Sequence, residues 1–198
     1  MTRQVFVAVP LPADATRVVT ELVDRVRADG NGIEKSASRN GRDVRWVRLD
    51  GLHVTLRFLG PAPEEALPAI TDAIRRTAAA SAGFRVVVDG AGAFPNPTRP
   101  RAIFLDIVEG ASDLATLAQA VEAALEPLGW PRSDRPFKAH LTLARSDGVA
   151  SGPAVAARLA EAARGLRLSV TIDRLGLFES RTGDGPARYE PLELAHLR

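Results

Sequence analysis

The stretch His53-Val54-Thr55-Leu56-Arg57-Phe58-Leu59 constrains the chain most. Polar and apolar residues alternate through it. Side chains in a strand alternate between faces with a period of two. His53, Thr55 and Arg57 are therefore expected on one face, and Val54, Leu56 and Phe58 on the other, with Phe58 in the core. The apolar face needs a core to pack on, and the polar face looks outward. The pattern returns at His140-Leu141-Thr142-Leu143. Taken singly, each His-x-Thr is an ordinary half-exposed strand. The chain has three histidines, however, and two of them head this pattern. Two imidazoles carried by two similar strands point to one shared site. Imidazole titrates near neutral pH, so such a pair can serve as general base and general acid.

The rest of the composition narrows the setting. At 198 residues, with 45% hydrophobic and 25% charged residues, the chain can bury a sizeable core as a single two-lobed domain. A formal charge of +2 implies no strong global field. Lys35 and Lys138 are the only lysines, so the positive charge is nearly all arginine. The absence of cysteine excludes disulfides, thiol catalysis and cysteine-ligated zinc. There is no apolar run of about 18 residues to span a membrane, and the first residues lead straight into a strand-like run. A cytoplasmic protein, acting as a monomer away from membranes, is expected.

Along the chain, Val5–Val9 reads as a buried strand. A helix follows with Val18, Val19, Leu22, Val23 and Val26 on one stripe, ending near Gly30. Residues 31–42 read as a polar loop. Val44–Val47 and His53–Leu59 read as strands, the second ended by Gly60-Pro61-Ala62-Pro63. Glu64-Glu65 opens a helix with Leu67, Ile70 and Ile74 inside. Phe84–Val88 and Ile103–Val108 are strands, separated by a proline-rich connection, Phe94–Pro100. Ser112 or Asp113 is expected to cap a helix with the stripe Leu114, Leu117, Val121 and Leu125, stopped by Gly129 and Pro131. Phe137–Leu143 is the second motif strand. Ser151 and Pro153 start a fourth helix, with Val155 and Leu159 inside. Leu168–Phe178 reads as one long strand, and Ala187–Leu194 as its antiparallel return across the turn Thr182–Pro186. The order predicts an α+β fold of two similar lobes. Each lobe has an antiparallel sheet with helices on its outer face, and a groove between the lobes receives one His-x-Thr strand from each. The terminal strands could join one lobe.

The paired motifs, with Val44-Arg45-Trp46-Val47, Gly92-Ala93-Phe94-Pro95, Arg135–Arg145, Leu177–Arg181 and Tyr189, resemble the 2H phosphoesterase superfamily. Within it they are most similar to the bacterial and archaeal RNA 2′,3′-cyclic phosphodiesterases, long called 2′-5′ RNA ligases. The resemblance runs from about Val5 to about Leu197. Ala139 departs from it, since proline is usual there. The resemblance implies metal-independent hydrolysis of RNA 2′,3′-cyclic phosphate ends to 2′-phosphomonoesters, with no cofactor. It assigns His53 as proton donor and His140 as proton acceptor, and supports Arg145 as a phosphate ligand. The partners implied are RNA or nucleotides ending in a 2′,3′-cyclic phosphate. The same site could run in reverse and join RNA through 2′-5′ linkages.

The residues themselves leave the two histidine roles open, because both settings look alike. Thr55 and Thr142 share faces with their histidines and can donate to non-bridging phosphate oxygens. Simple strand parity puts Arg145 on the face opposite His140, so a bulge or strand end is needed to turn it inward. Arg57 has the correct parity for phosphate. His196 reads as structural or solvated, and Glu179 as a hydrogen-bonding group inside the fold. Two other readings stay open on the residues: an RNA-end binding protein without catalysis, and a metallohydrolase. The second lacks a further histidine near a motif and a nearby carboxylate pair to complete a metal site.

Overall fold

A computed structural model gives the structure of the protein and describes residues 1–28, 44–146, 151–183 and 186–198. The expected helix end near Gly30, the loop 31–42 and part of the turn at 182–186 lie outside these residues. In chain order the elements are β1 (Thr2–Pro10), α1 (Ala13–Ala28), β2 (Val44–Trp46), β3 (His53–Pro63), α2 (Leu67–Ala80), β4 (Phe84–Phe94), β5 (Ala102–Glu109), α3 (Ala111–Leu125), β6 (His140–Ser146), α4 (Gly152–Ala162), β7 (Leu168–Ile172), β8 (Arg174–Arg181) and β9 (Arg188–His196). Short 3₁₀ turns at Leu49–Gly51, Glu64–Ala66 and Glu126–Leu128 join some of them. The strands form two antiparallel sheets, ordered β3-β1-β8-β9 and β2-β6-β5-β4-β7. The α+β architecture with two sheets is the one expected, and β8 and β9 do join the sheet begun by β1.

One cluster of buried hydrophobics runs through both sheets and all four helices. It includes Val7 and Leu177 from the first sheet, Leu105 and Leu141 from the second, and Leu22, Ile70, Leu114 and Leu159 from the helices. Each such side chain contributes roughly 1.5–3 kcal/mol on burial. The helical stripes are the ones that the 3.6-residue period selects. Val19, Leu22, Val23 and Val26 are buried in α1, and Leu114, Leu117, Val121 and Leu125 in α3. Val18 and Leu67 lie at the stripe edges and stay partly exposed. α2 packs on β8 and β9 of the first sheet, while α4 packs on β4 of the second. α3 packs on β3, and so reaches the strand that carries the first motif.

Several local expectations are corrected. β3 does not stop at Gly60-Pro61 but continues to Pro63. It is an edge strand, where a missing N–H is tolerated, and Gly60, with φ of 75°, accommodates a bulge in its pairing with β1. β4 likewise runs on past Val88 to Phe94 through a register shift. The apparent long strand 168–178 is two strands: β7 belongs to the second sheet and β8 to the first. Period-two alternation does not distinguish one strand from two that follow each other into different sheets. Gly110, not Ser112 or Asp113, occupies the N-cap position of α3. Phe137–Ala139 lie outside the ladder, and the strand begins at His140. Among the described residues no helix is long and apolar enough to cross a membrane.

Candidate active site

Both motif strands carry one extra residue immediately after the motif. In β3 the register passes from Ala8↔Thr55 to Val7↔Arg57, leaving Leu56 as the insertion. In β6 it passes from Phe104↔Thr142 to Ile103↔Ala144, leaving Leu143. An extra residue reverses the parity of everything beyond it. The fifth residue after each histidine therefore returns to the histidine's face. In β6 that residue is Arg145, exposed beyond the consecutive buried pair Leu143 and Ala144. This is the bulge that the parity of Arg145 required. In β3 it is Phe58, which is 63% exposed with its ring 5.9 Å from that of Phe6. Phe58 is therefore not a core residue, and the same insertion carries Arg57 away from the histidine face. Arg57 instead meets Glu122 of α3 at 3.4 Å and donates to the Pro131 carbonyl.

The two histidines are held alike. His53 Nδ1 lies 2.7 Å from the Gly51 carbonyl, and His140 Nδ1 lies 2.7 Å from the Lys138 carbonyl. A carbonyl only accepts, so in each ring Nδ1 carries the hydrogen and Nε2 is left to exchange a proton. Thr55 and Thr142, two residues on and before the bulges, are partly exposed on the same faces as their histidines. β3 and β6 adjoin each other across the sheets.

Aromatic walls surround each imidazole. Phe6 lies 4.9 Å and Tyr189 4.8 Å from the ring of His53, with Phe178 behind. Phe94 and Phe104 each lie 5.1 Å from the ring of His140. Beside His140, Lys138 Nζ sits 5.0 Å from the centres of both phenylalanine rings and 3.6 Å from Asp106. Asp106 is the direct cross-strand neighbour of His140. Burial is the main cause that pushes both imidazoles below their ordinary pKa. The hydrogen bonds from the Gly51 and Lys138 carbonyls oppose it. The Arg145 guanidinium adds to the lowering at both rings, so one cation acts on the two histidines together.

The structure thus carries His53 and Thr55 on one face of β3 and His140, Thr142 and Arg145 on one face of the adjoining β6, with the Arg145 charge reaching both imidazoles, and takes Arg57 out of the set. Lys138, Asp106 and the exposed placement of Phe58 were not singled out by the sequence. The register between β5 and β6 and the two insertions put them there, and neither is written in a local pattern. His196 is exposed at the end of β9, opposite Arg174. Glu179, largely buried, accepts from Arg3 and Arg181, as its expected role inside the fold requires. Among the described residues no group of three or more His, Cys, Asp or Glu is arranged to hold a metal.

Two antiparallel sheets, each presenting a His-x-Thr strand, define the class that the motifs resemble, the 2H phosphoesterases. A family model described as the 2′-5′ RNA ligase superfamily matches residues 7–184, and the chain belongs to that family. An RNA 2′,3′-cyclic phosphodiesterase of Archaeoglobus fulgidus is 37% identical over 128 residues, 65% of this chain and 70% of that protein. One of Thermus thermophilus is 34% identical over 151 residues, 72% of this chain and 68% of that protein. The crystal structure of Escherichia coli LigT complexed with 3′-AMP superimposes with a TM-score of 0.72 at 26% identity, covering 100% of this chain and 99% of that one.

Proposed function

We propose that this chain hydrolyses the 2′,3′-cyclic phosphate ends of RNA to 2′-phosphomonoesters, by acid–base catalysis from His53 and His140 without a metal. The observation that carries the reading is the placement of Arg145. The bulge at Leu143 turns it to the histidine face, where its charge acts on both imidazoles. A cation whose charge reaches two proton-exchanging groups suits an anion that both of them must meet. Relatives named RNA 2′,3′-cyclic phosphodiesterase support the substrate class.

In this mechanism neutral His140 takes a proton from water through Nε2 as the water oxygen bonds to phosphorus. The bond from phosphorus to the ribose 3′ oxygen breaks on the opposite side. Protonated His53 gives that oxygen its proton through Nε2. The product keeps its phosphate on the 2′ oxygen. His53 ends neutral and His140 protonated, and exchange with solvent restores the starting state. Thr55 and Thr142 donate to the non-bridging oxygens, where negative charge builds, and Arg145 neutralises it. Phe58 offers the nucleobase an aromatic plate on the His53 side, a contact of roughly 1–3 kcal/mol. With a 5′-hydroxyl in place of water, the same groups join two RNA ends through a 2′-5′ linkage.

The test is product analysis on an oligoribonucleotide ending in a 2′,3′-cyclic phosphate, in excess chelator. A 2′-phosphate product is expected, with turnover nearly abolished in folded His53→Ala and His140→Ala and unchanged in His196→Ala. A 3′-phosphate product would reverse the assigned bond cleavage. Recovery of a chelator-silenced enzyme by zinc or manganese would overturn the metal-free mechanism.

A further inference from the structure

Arg57 follows the first motif directly, yet the insertion at Leu56 removes it from the histidine face. Its side chain and that of Glu122 are only 17% and 18% exposed, and they meet at 3.4 Å. Such a pair gives up hydration, and it persists only where its remaining hydrogen-bonding capacity is met. Here both partners meet it on one segment. Arg57 donates to the carbonyl of Pro131. Glu122 Oε1 accepts the backbone N–H of Ser133 at 3.1 Å. A third bond joins the same segment to β3, because Trp130 Nε1 donates to the Leu59 carbonyl at 3.2 Å. Residues 130–139 have no ladder of their own. They lead straight into β6, and Lys138 at their end supplies the carbonyl that fixes His140 Nδ1. The strand carrying one histidine is thus strapped to the segment that delivers the other.

We propose that Arg57, acting with Glu122, is a positioning residue for His140, setting its spacing and orientation relative to His53. The proposal rests on the two-histidine reading. Proton transfer on both sides of one phosphorus demands a fixed separation of two imidazoles. Nothing within the second sheet alone can measure that separation from His53. The Arg57–Glu122 strap joins β3 of the first sheet to α3 and to the segment that leads into β6, and so can set it. Arginine suits the task because its planar fork reaches a carboxylate and a carbonyl at once.

The experiment measures kcat and KM for 2′,3′-cyclic AMP, the affinity for 2′-AMP, and the melting temperature. The variants are Arg57→Gln, Glu122→Gln, the double variant, Arg57→Lys and Trp130→Phe. Arg57→Gln is expected to lower kcat about 10- to 100-fold, the range for a misplaced catalytic group, with KM and 2′-AMP affinity nearly unchanged. The double variant should be no worse than Arg57→Gln, because the two residues act as one unit. Arg57→Lys should recover part of the loss. Trp130→Phe alters no charge and removes one strap bond, so it should show a smaller loss of the same kind even if the Arg57 variants fold poorly. The groups around His140 are Lys138, Asp106 and Arg145. Loosening the Lys138 carbonyl removes a bond that raises the His140 pKa, so the acid limb of the pH profile should move to lower pH. A lower melting temperature with kcat and pH limbs unchanged would leave the strap merely structural and overturn the proposal. A raised KM with weakened 2′-AMP binding would make Arg57 a substrate contact and overturn it too. Full turnover by folded His140→Ala would remove the underlying reading. Inactive His140→Ala beside unaffected Arg57 variants would remove the strap alone.

Discussion

At each histidine the residue two positions earlier supplies the carbonyl that holds Nδ1, Gly51 for His53 and Lys138 for His140. The arrangement leaves Nε2 of both rings available to exchange a proton. Burial by aromatic neighbours, helped by Arg145, holds both imidazoles below the ordinary value of 6.5. A lowered pKa means that the acid loses its proton, and the base becomes neutral, at lower pH than for free imidazole. Both limbs of the kcat/KM profile for the free enzyme should therefore lie on the acid side of 6.5. A bound phosphate anion favours the protonated rings, so the kcat profile should be displaced toward higher pH. Coincident profiles centred above 7 would contradict this account. The threonines are tested separately. Thr55→Ala and Thr142→Ala should each lower turnover through loss of a donor to the charged oxygens, roughly 2–4 kcal/mol if each acts as a full oxyanion donor. Unchanged kinetics in the double variant would reduce them to strand formers. The sequence singles these residues out because each threonine repeats beside its histidine. It gave no sign of Lys138 or Asp106, which reach His140 only through chain direction and cross-strand register.

On the scale of strands, the two insertions decide which side chains face the site. Alternation read from His53 sends Phe58 inward and Arg57 outward, and the insertion at Leu56 reverses both. The insertion at Leu143 does the same for Arg145. A single extra residue does not disturb local composition, so neither bulge is visible until the partner strand gives the register. The walls behind the histidines depend on close approach as well. A Cβ on Gly176 would lie 2.5 Å and 2.8 Å from two ring atoms of Phe178, and 2.9 Å from Leu194. Phe178 stacks on Phe6, which packs on His53. Gly176→Ala should therefore destabilise by about 1–3 kcal/mol through overpacking and also lower kcat by shifting the wall of His53. Gly183→Ala, with nothing within 4 Å of the added carbon, is its control. Equal melting temperatures and equal turnover for the two variants would show that the wall yields freely. Under the proposed role of Phe58 as a plate for the nucleobase, Phe58→Ala should raise KM for a cyclic nucleotide more than it lowers kcat. A loss confined to kcat would remove that role.

For the whole molecule, element types and the four helical stripes followed from periodicity, whereas the allocation of strands to sheets did not. β2 lies early in the chain but pairs with β6 of the second sheet. The run from Leu168 onward divides between the two sheets at Asp173. Pairings of such long separation have no local signature. The strand order also has a temporal meaning. Every strand of the second sheet lies between Val44 and Ile172, whereas the first sheet pairs β1 with β8, and β8 with β9. During synthesis the second sheet, with His140, can close before β8 and β9 emerge from the ribosome. β1 and β3 must wait, with one edge of β1 unpaired, for partners made late. The His53 half of the cleft is then the last to be finished. A chain ending at Ile172 and tethered to the ribosome through a linker that fills the exit tunnel should carry a structured second sheet, be bound by chaperones through β1 and show no turnover, whereas the full chain on the same linker should be active.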